Sequence, residues 1–372
     1  MKYPIGIQNF EEIREGGYLY IDKTDMMFDL VDNGKYYFLS RPRRFGKSLL
    51  ISTLETYFSG KREMFDGLKI AELEKEWTEY PVLHLDLNTE RYATPKDLEN
   101  KLDLFLKQCE ALYGKNPDEY SLATRFEGVI RRAAEKTGRN TVILVDEYDK
   151  PMLQAIDNDE LQDEYRNTLK AFYGALKSMD RYIRFALLTG VTKFGKVSVF
   201  SDLNNLRDIS MEFAYVGICG ITEEELHSVF KDGIKELGAA NNMTEKEAKA
   251  KLKELYDGYH FNEDCVDIYN LSGLMITLDS KQLMSNWIEV GTPSFLVKML
   301  KKRDSDFGDL EGVEIDGSLL DSNDTASKNL IPLIYQSGYL TIKAYDKKSN
   351  TYKLGFPNEH VKNAFTVLMN SF

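Results

Sequence analysis

The chain has 372 residues, 42% hydrophobic and 29% charged, a balance that excludes a disordered tail or a purely membrane-embedded protein and suits two or three globular domains. Its formal net charge of −12 excludes a surface that attracts polyanions as a whole, so any nucleic acid must meet a local basic patch. The three cysteines, Cys109, Cys219 and Cys265, form no CxxC pair, and with four histidines they argue against a zinc site or a disulfide framework. There is no apolar signal core after Met1 and no run near the roughly 18 apolar residues of a membrane span, so a cytoplasmic protein is expected.

Residues 35–39 (KYYFL) are a short apolar run, predicted as a buried strand, and 48–58 (SLLISTLETYF) show helical spacing. Residues 81–87 alternate as a second strand. Thr94-Pro95 reads as an N-cap and first helical residue, opening a helix to about 113. A further helix over 121–136 is stopped by Gly138. Residues 141–145 (TVILV) are a continuous run of β-branched residues and Leu, the mark of a strand covered on both faces. A helix over 159–178, a strand over 183–188 and a fifth strand over 214–218 follow.

Strands alternating with helices of this length predict an α/β fold of βαβ units: a parallel sheet with helices on both faces. Past residue 220 the pattern becomes helical, over 222–237 and 244–256. Thr222 and Glu225 form a capping box there. This predicts a helical lid. Residues 304–327 are polar and acidic and read as a linker. A helix over 328–336, strands over 339–345 and 351–355 and a last helix from Asn358 resemble part of a winged helix. The expected regions are a core over 1–220, a lid over 221–304 and a winged-helix-like region over 305–372.

Between the first strand and its helix lies Arg41-Pro42-Arg43-Arg44-Phe45-Gly46-Lys47-Ser48. The phosphate-loop pattern is Gly-x-x-x-x-Gly-Lys-Ser/Thr. Gly46 lets the backbone amides curl around phosphate, Lys47 reaches the β- and γ-phosphates, and Ser48 offers its hydroxyl to Mg²⁺. The helix N-terminus adds amide donors and a positive dipole end. Arg43, Arg44, Phe45, Gly46, Lys47, Ser48 and Leu49 are the candidate nucleotide-binding residues. Arg41 stands where the pattern has Gly, and Arg tolerates left-handed backbone angles poorly. The loop is therefore expected to open differently, with Arg41, Arg43 and Arg44 turning charge toward the phosphates or a partner subunit. The plain alternative is a basic loop opening an ordinary helix.

The run 141–145 ends in Asp146-Glu147, which places carboxylates where α/β sheets bind ligands. Asp146 can hold Mg²⁺ and Glu147 can polarise the attacking water. After the strand over 183–188, Thr189 is the first choice to touch the γ-phosphate or orient water. Thr192 is the second, and Lys193 could sense phosphate charge. The candidate catalytic residues are thus Glu147, Lys47 and Thr189, and the candidate metal ligands Ser48 and Asp146. A solvated acidic turn is the alternative for the carboxylates, and a plain Thr-Gly turn for Thr189.

In chain order, Tyr20-Ile21-Asp22-Lys23-Thr24, Arg41 through Leu49, Val145-Asp146-Glu147-Tyr148-Asp149-Lys150-Pro151, Leu188-Thr189-Gly190-Val191-Thr192-Lys193-Phe194, Asn204-Asn205-Leu206, Tyr256-Asp257-Gly258-Tyr259-His260-Phe261 and Gly338-Tyr339-Leu340 resemble the bacterial AAA-ATPase-like family. Its members often carry a C-terminal PD-(D/E)XK nuclease-like domain. The resemblance spans nearly the whole chain. It implies an ATP- and Mg²⁺-dependent switch in which nucleotide state rearranges a lid and winged helix. Arg at the first loop position belongs to the family's pattern, whereas Lys193 stands where the family more often has Arg. The segment at 20–24 lines the adenine pocket in related ATPases; a helix cap with a core Tyr is the alternative. A nuclease-like portion would follow Phe372, and no carboxylate and Lys cluster of that kind occurs before it.

Residues 256–261 read as a packing turn capped by Gly258, or as a nucleotide or partner contact through His260. Lys298, Lys301, Lys302 and Arg303 read as a solvated helix end or a nucleic-acid patch, and Trp77 and Trp287 as core or interface residues. Two classes of function stand: an enzyme hydrolysing ATP, and a nucleotide-gated module that holds ATP or ADP and contacts DNA or a protein partner. A homo-oligomer suits either, and the choice of ATP over GTP stays open.

Overall fold

Five strands form a sheet: β1 (Tyr36–Ser40), β2 (Val82–Asp86), β3 (Thr141–Asp146), β4 (Ile183–Gly190) and β5 (Arg207–Asp208). Their order is β2-β3-β4-β1-β5, and each of these pairings is parallel. The computed structural model of the protein describes residues 2–193, 196–201, 203, 205–283, 294–302, 310–321 and 330–370. The chain divides into two compact units, each built from separated segments. The sheet unit holds 24–40 and 51–209, and the helical unit holds 1–23, 41–50 and 210–372.

In the sheet unit the burial of each strand follows its composition. Every residue of β1 and β3 is buried, as their unbroken apolar runs require, while the edge strand β2 alternates. The helices begin and end where capping chemistry dictates. Pro95 is the first residue of helix Pro95–Tyr113. Ser121 and Thr124 cap helix Leu122–Thr137 reciprocally, and Gly138 (φ 69) ends it. The helix expected over 159–178 breaks at Gly174 into Asp159–Tyr173 and Ala175–Ser178. Phe126 and Phe172 stack with centroids 4.3 Å apart in this unit's core.

The fifth strand is not at 214–218. It is the two-residue edge strand Arg207–Asp208, paired with β1, and Phe213–Tyr215 form a 3₁₀ turn instead. The apolar run misled because Tyr215, Val216 and Ile218 are buried by side-chain packing without a ladder.

The helical unit packs Glu223–Val229, Lys231–Ala240, Glu245–Tyr256 and Leu271–Ser280 around Leu226, Phe230, Ile234, Leu252 and Leu274. The helix expected over 222–237 is two helices meeting at Phe230. In a short antiparallel pair, β6 (Ile221–Thr222) precedes the first of these helices and β7 (Ile268–Tyr269) precedes the last. Further along, β8 (Val313–Asp316), β9 (Thr341–Asp346) and β10 (Thr351–Gly355) make an antiparallel sheet in the order β8-β10-β9. Helices Gly317–Asp321, Ile331–Gln336 and Glu359–Asn370 accompany it. The stretch expected to be a linker over 304–327 therefore contains β8 and a helical turn, while 304–309 and 322–327 lie outside the described residues. Among the described residues no helix is long and apolar enough to cross a membrane.

Candidate functional site

The loop Arg41–Gly46 follows β1 in the chain and leads into helix Lys47–Phe58. Its left-handed positions are Arg44 (φ 67) and Gly46 (φ 100), not Arg41. A non-glycine residue in that conformation costs about 1–2 kcal/mol, so the strain expected at the first loop position sits at the fourth. The Arg41 side chain is 1% exposed. Its guanidinium donates to the Ser210 carbonyl at 2.6 Å and to those of Tyr215 and Val216 at 3.4 Å, and it lies 4.3 Å from the Phe261 ring centroid. Arg41 therefore does not turn its charge toward phosphate or a partner. A buried guanidinium needs acceptors, and these carbonyls with an aromatic face supply them.

The rest of the loop is held in the same unit. The Phe45 ring packs edge-on against Tyr259 and Phe261, with centroids 4.9 and 5.4 Å away, and the Phe45 carbonyl accepts the Gly220 N–H at 2.8 Å. Gly338 (φ 86) allows close approach to the loop, since a Cβ there would stand 2.9 Å from the Pro42 ring. Lys47 is 4% exposed and its ammonium donates to the carbonyls of Arg41 (3.0 Å) and Pro42 (3.4 Å). Ser48 and Leu49 are half-buried in the first helical turn. Arg44 is exposed, and desolvation, followed by the neighbouring Arg43 charge, lowers its pKa. An anion bound beside two crowded guanidinium groups would relieve that repulsion.

In the sheet unit, Ser40 of β1 lies opposite Gly190 of β4, and Asp146 of β3 lies opposite Asp86 of β2. The carboxyl ends of these parallel strands share one sheet edge, where open α/β sheets bind ligands. Asp146 is 5% exposed and accepts the Thr189 hydroxyl at 2.5 Å. Glu147 has left-handed backbone, φ 56. Tyr148 donates its N–H to the Thr189 carbonyl at 2.9 Å and its hydroxyl to the Thr192 carbonyl at 3.3 Å. Asp149, fully buried, accepts the Thr192 N–H (2.7 Å), the Thr192 hydroxyl (2.8 Å) and the Val191 N–H (3.3 Å).

The structure thus gathers Asp146, Glu147, Thr189 and Thr192 within one unit, with the two threonine hydroxyls engaged by Asp146 and Asp149. Lys193, 6% exposed, pairs with Asp208 at 3.0 Å, and Lys196 bonds the same carboxylate. His84, on β2, holds Glu55 through Nδ1 at 2.9 Å. Burial opposes charge on its ring, but the bond to Glu55 and the charges of Glu55, Asp146 and Asp86 outweigh burial and raise its pKa.

Among the described residues no group of three or more His, Cys, Asp and Glu side chains could hold a metal. Mg²⁺ asks for less, because it keeps several waters and takes phosphate oxygens. The Ser48 hydroxyl and the Asp146 carboxylate are oxygen donors of the type it accepts.

Sequence reasoning gave Asp149 and Asp208 no role. For Asp149 a signal existed, a second Asp three residues beyond Asp146. The segment at 20–24 is tied down by Lys23, which pairs with Glu225 at 2.5 Å, and by Tyr20, edge-on to Phe10. His260 is held at both ring nitrogens: Nδ1 meets the Ile342 carbonyl at 2.6 Å and Nε2 meets Asp267 at 2.7 Å. The preceding helix is capped at Asp257 rather than Gly258. Gly258 (φ 89) is needed because a Cβ there would stand 2.1 Å from the Pro357 carbonyl oxygen. Trp77 packs on Phe65 and Tyr57. Lys298 is exposed on helix Ser294–Lys302, whereas Arg303, Trp287, Phe194 and Asn204 lie outside the described residues.

A family model described as "Predicted AAA-ATPase" matches residues 4–200. A protein from Azotobacter chroococcum mcd 1, named "Uncharacterized protein in vnfD 5'region", is 37% identical over 365 residues, covering 97% of this chain and 68% of the relative. The solved structure of the Aeropyrum pernix ORC2 protein, in ADPNP–ADP complexes, is 11% identical and covers 95% of both chains at a TM-score of 0.32. The phosphate loop and the Asp146-Glu147 pair both fall within the family match, and the chain belongs to the AAA-ATPase-like family.

Proposed function

We propose that the chain binds ATP with Mg²⁺ and hydrolyses it, and that turnover drives a conformational switch. In this reading Lys47 holds the β- and γ-phosphates, with Arg43, Arg44 and the amides from Phe45 to Leu49 as further donors. Ser48 and Asp146 are the oxygen ligands for Mg²⁺, which when bound neutralises charge on the phosphates. Glu147 takes the proton of the attacking water, and Thr189 acts through Asp146 by fixing that carboxylate. Residues 221–304 serve as the lid and 305–372 as the winged-helix-like region, in a cytoplasmic protein that works as a homo-oligomer. The observation that carries this reading is the left-handed backbone at Glu147. Strain of about 1–3 kcal/mol kept at the end of a buried strand, where Gly would be unstrained, favours a working side chain there.

Steady-state phosphate release from Mg²⁺–ATP tests it, with Lys47→Ala as control. The wild type should turn over. The variant should be silent and bind ATP roughly 10–100-fold more weakly, the scale of a lost charge-assisted hydrogen bond. Equal calorimetric affinity in the two proteins would remove the phosphate-loop assignment. Tight binding without release would leave the second reading, a nucleotide-gated binding module. The β9–β10 hairpin favours that alternative, because Lys343, Lys347, Lys348 and Lys353 fall on its strands and turn. DNA binding by the hairpin should weaken steeply with salt; no binding at low salt would point to a protein partner.

A further inference from the structure

Tyr148 and Asp149, the residues after Glu147, bond back to the segment that leaves β4. The Asp149 oxygens divide their work: Oδ1 accepts the Val191 N–H, and Oδ2 accepts both the N–H and the hydroxyl of Thr192. Gly190 lies inside the same clamp. A Cβ there would stand 2.6 Å from the Tyr148 ring and 2.9 Å from Asp149 Oδ1. Before Glu147, Asp146 is bound by the Thr189 hydroxyl; after it, the Tyr148 N–H reaches the Thr189 carbonyl.

A buried carboxylate loses its hydration, and only convergent donors offset that loss. An apolar side chain would fill the space without it, so the carboxylate is there for orientation. We infer that Asp149 is a positioning residue: it latches the segment 191–192 to the turn carrying Glu147 and keeps that turn left-handed. A strained residue persists only where its surroundings over-determine it, and here bonds flank it on both sides. Lys193, the next residue, pairs in turn with Asp208 of β5. This inference rests on the reading of Glu147 as the base that activates water.

Asp149→Asn keeps the size but sets an amide NH₂ against a backbone N–H. It should lower kcat by about 10-fold or more, with KM and the calorimetric Kd for ATP within about 2-fold. Thr192→Val should move kcat the same way but less, and Thr192→Ser should match the wild type. The double variant Asp149→Asn/Thr192→Val should fall short of the product of the single effects, as coupled residues do. Unchanged kcat in Asp149→Asn, or equal loss of kcat, affinity and melting temperature in the Val and Ser variants, would overturn the latch. If the wild type releases no phosphate, the hydrolysis reading has failed by itself, and hydrogen exchange decides the latch. The Val191 and Thr192 amides should both be protected in the wild type, and at least one of them, the one facing the new NH₂, should lose protection in Asp149→Asn; equal protection of both amides in the two proteins would overturn it.

Discussion

The hydroxyl of Thr189, at the end of β4, donates to the carboxylate of Asp146, at the end of β3, across 2.5 Å of buried space. It therefore fixes the direction of that carboxylate. Thr189→Val is nearly isosteric and leaves Asp146 short of a donor. It should cost about 1–3 kcal/mol of stability in urea unfolding and weaken Mg²⁺-dependent nucleotide binding. Thr189→Ser should behave as wild type. Equal loss in Ser and Val would mean that the methyl group, not the hydrogen bond, matters.

Glu147 combines strain with a proposed chemical task, and substitutions separate the two. Glu147→Gln should leave ATP affinity unchanged and reduce phosphate release by about 10²-fold or more, the scale of a lost general base. Glu147→Gly should be more stable than Glu147→Ala by about 1 kcal/mol, because only Gly enters the left-handed region freely. Midpoints of denaturation in the opposite order would show that the turn relaxes when the carboxylate is removed.

Arg41→Lys tests the loop's anchor. A single ammonium cannot reach the Ser210 carbonyl and those of Tyr215 and Val216 together, and it loses the planar stack on Phe261. The variant should lose about 2–3 kcal/mol of stability. Unchanged stability with lost nucleotide affinity would show that the side chain serves the phosphates instead.

Asp257 gives stability a pH dependence of unusual sign. Burial raises its pKa from 3.8 to about 6, with Asp267 adding to the rise and Lys253 opposing it. The folded state then holds a proton that the unfolded chain releases near pH 4. Stability from this group is present at low pH and is lost as pH climbs from about 4 to 6. Asp257→Asn should therefore be more stable than wild type at pH 7, by on the order of 1–3 kcal/mol, and no more stable at pH 4. A gain that persists at pH 4 would place its cause outside this titration.

The parallel sheet was legible because continuous apolar runs such as 141–145 leave few alternatives to a doubly covered strand. The β5 strand was not, because Arg207 and Asp208 carry charge and span two residues, while the more apolar 214–218 packs without pairing. The loop and the Asp-Glu pair were visible as local spacing. What spacing cannot carry is a partner far along the chain. Asp149 looked like any acid in a polar turn, although its donors lie more than 40 residues away. Arg41 looked like free charge, although its acceptors lie about 170 residues away. Both are buried charges whose cost on folding is offset only once distant backbone has arrived.

The two units are assembled from segments that alternate along the chain, with changes of unit at 23/24, 40/41, 50/51 and 209/210. Neither can be excised as one continuous fragment. The family match over 4–200 is therefore a stretch of sequence and not a folding unit. An expression fragment ending near residue 209 would keep the strands but strip the phosphate loop of the carbonyls of Ser210, Tyr215 and Val216 and of the rings of Tyr259 and Phe261. Dissection, permutation or domain grafting of this protein has to respect that interleaving.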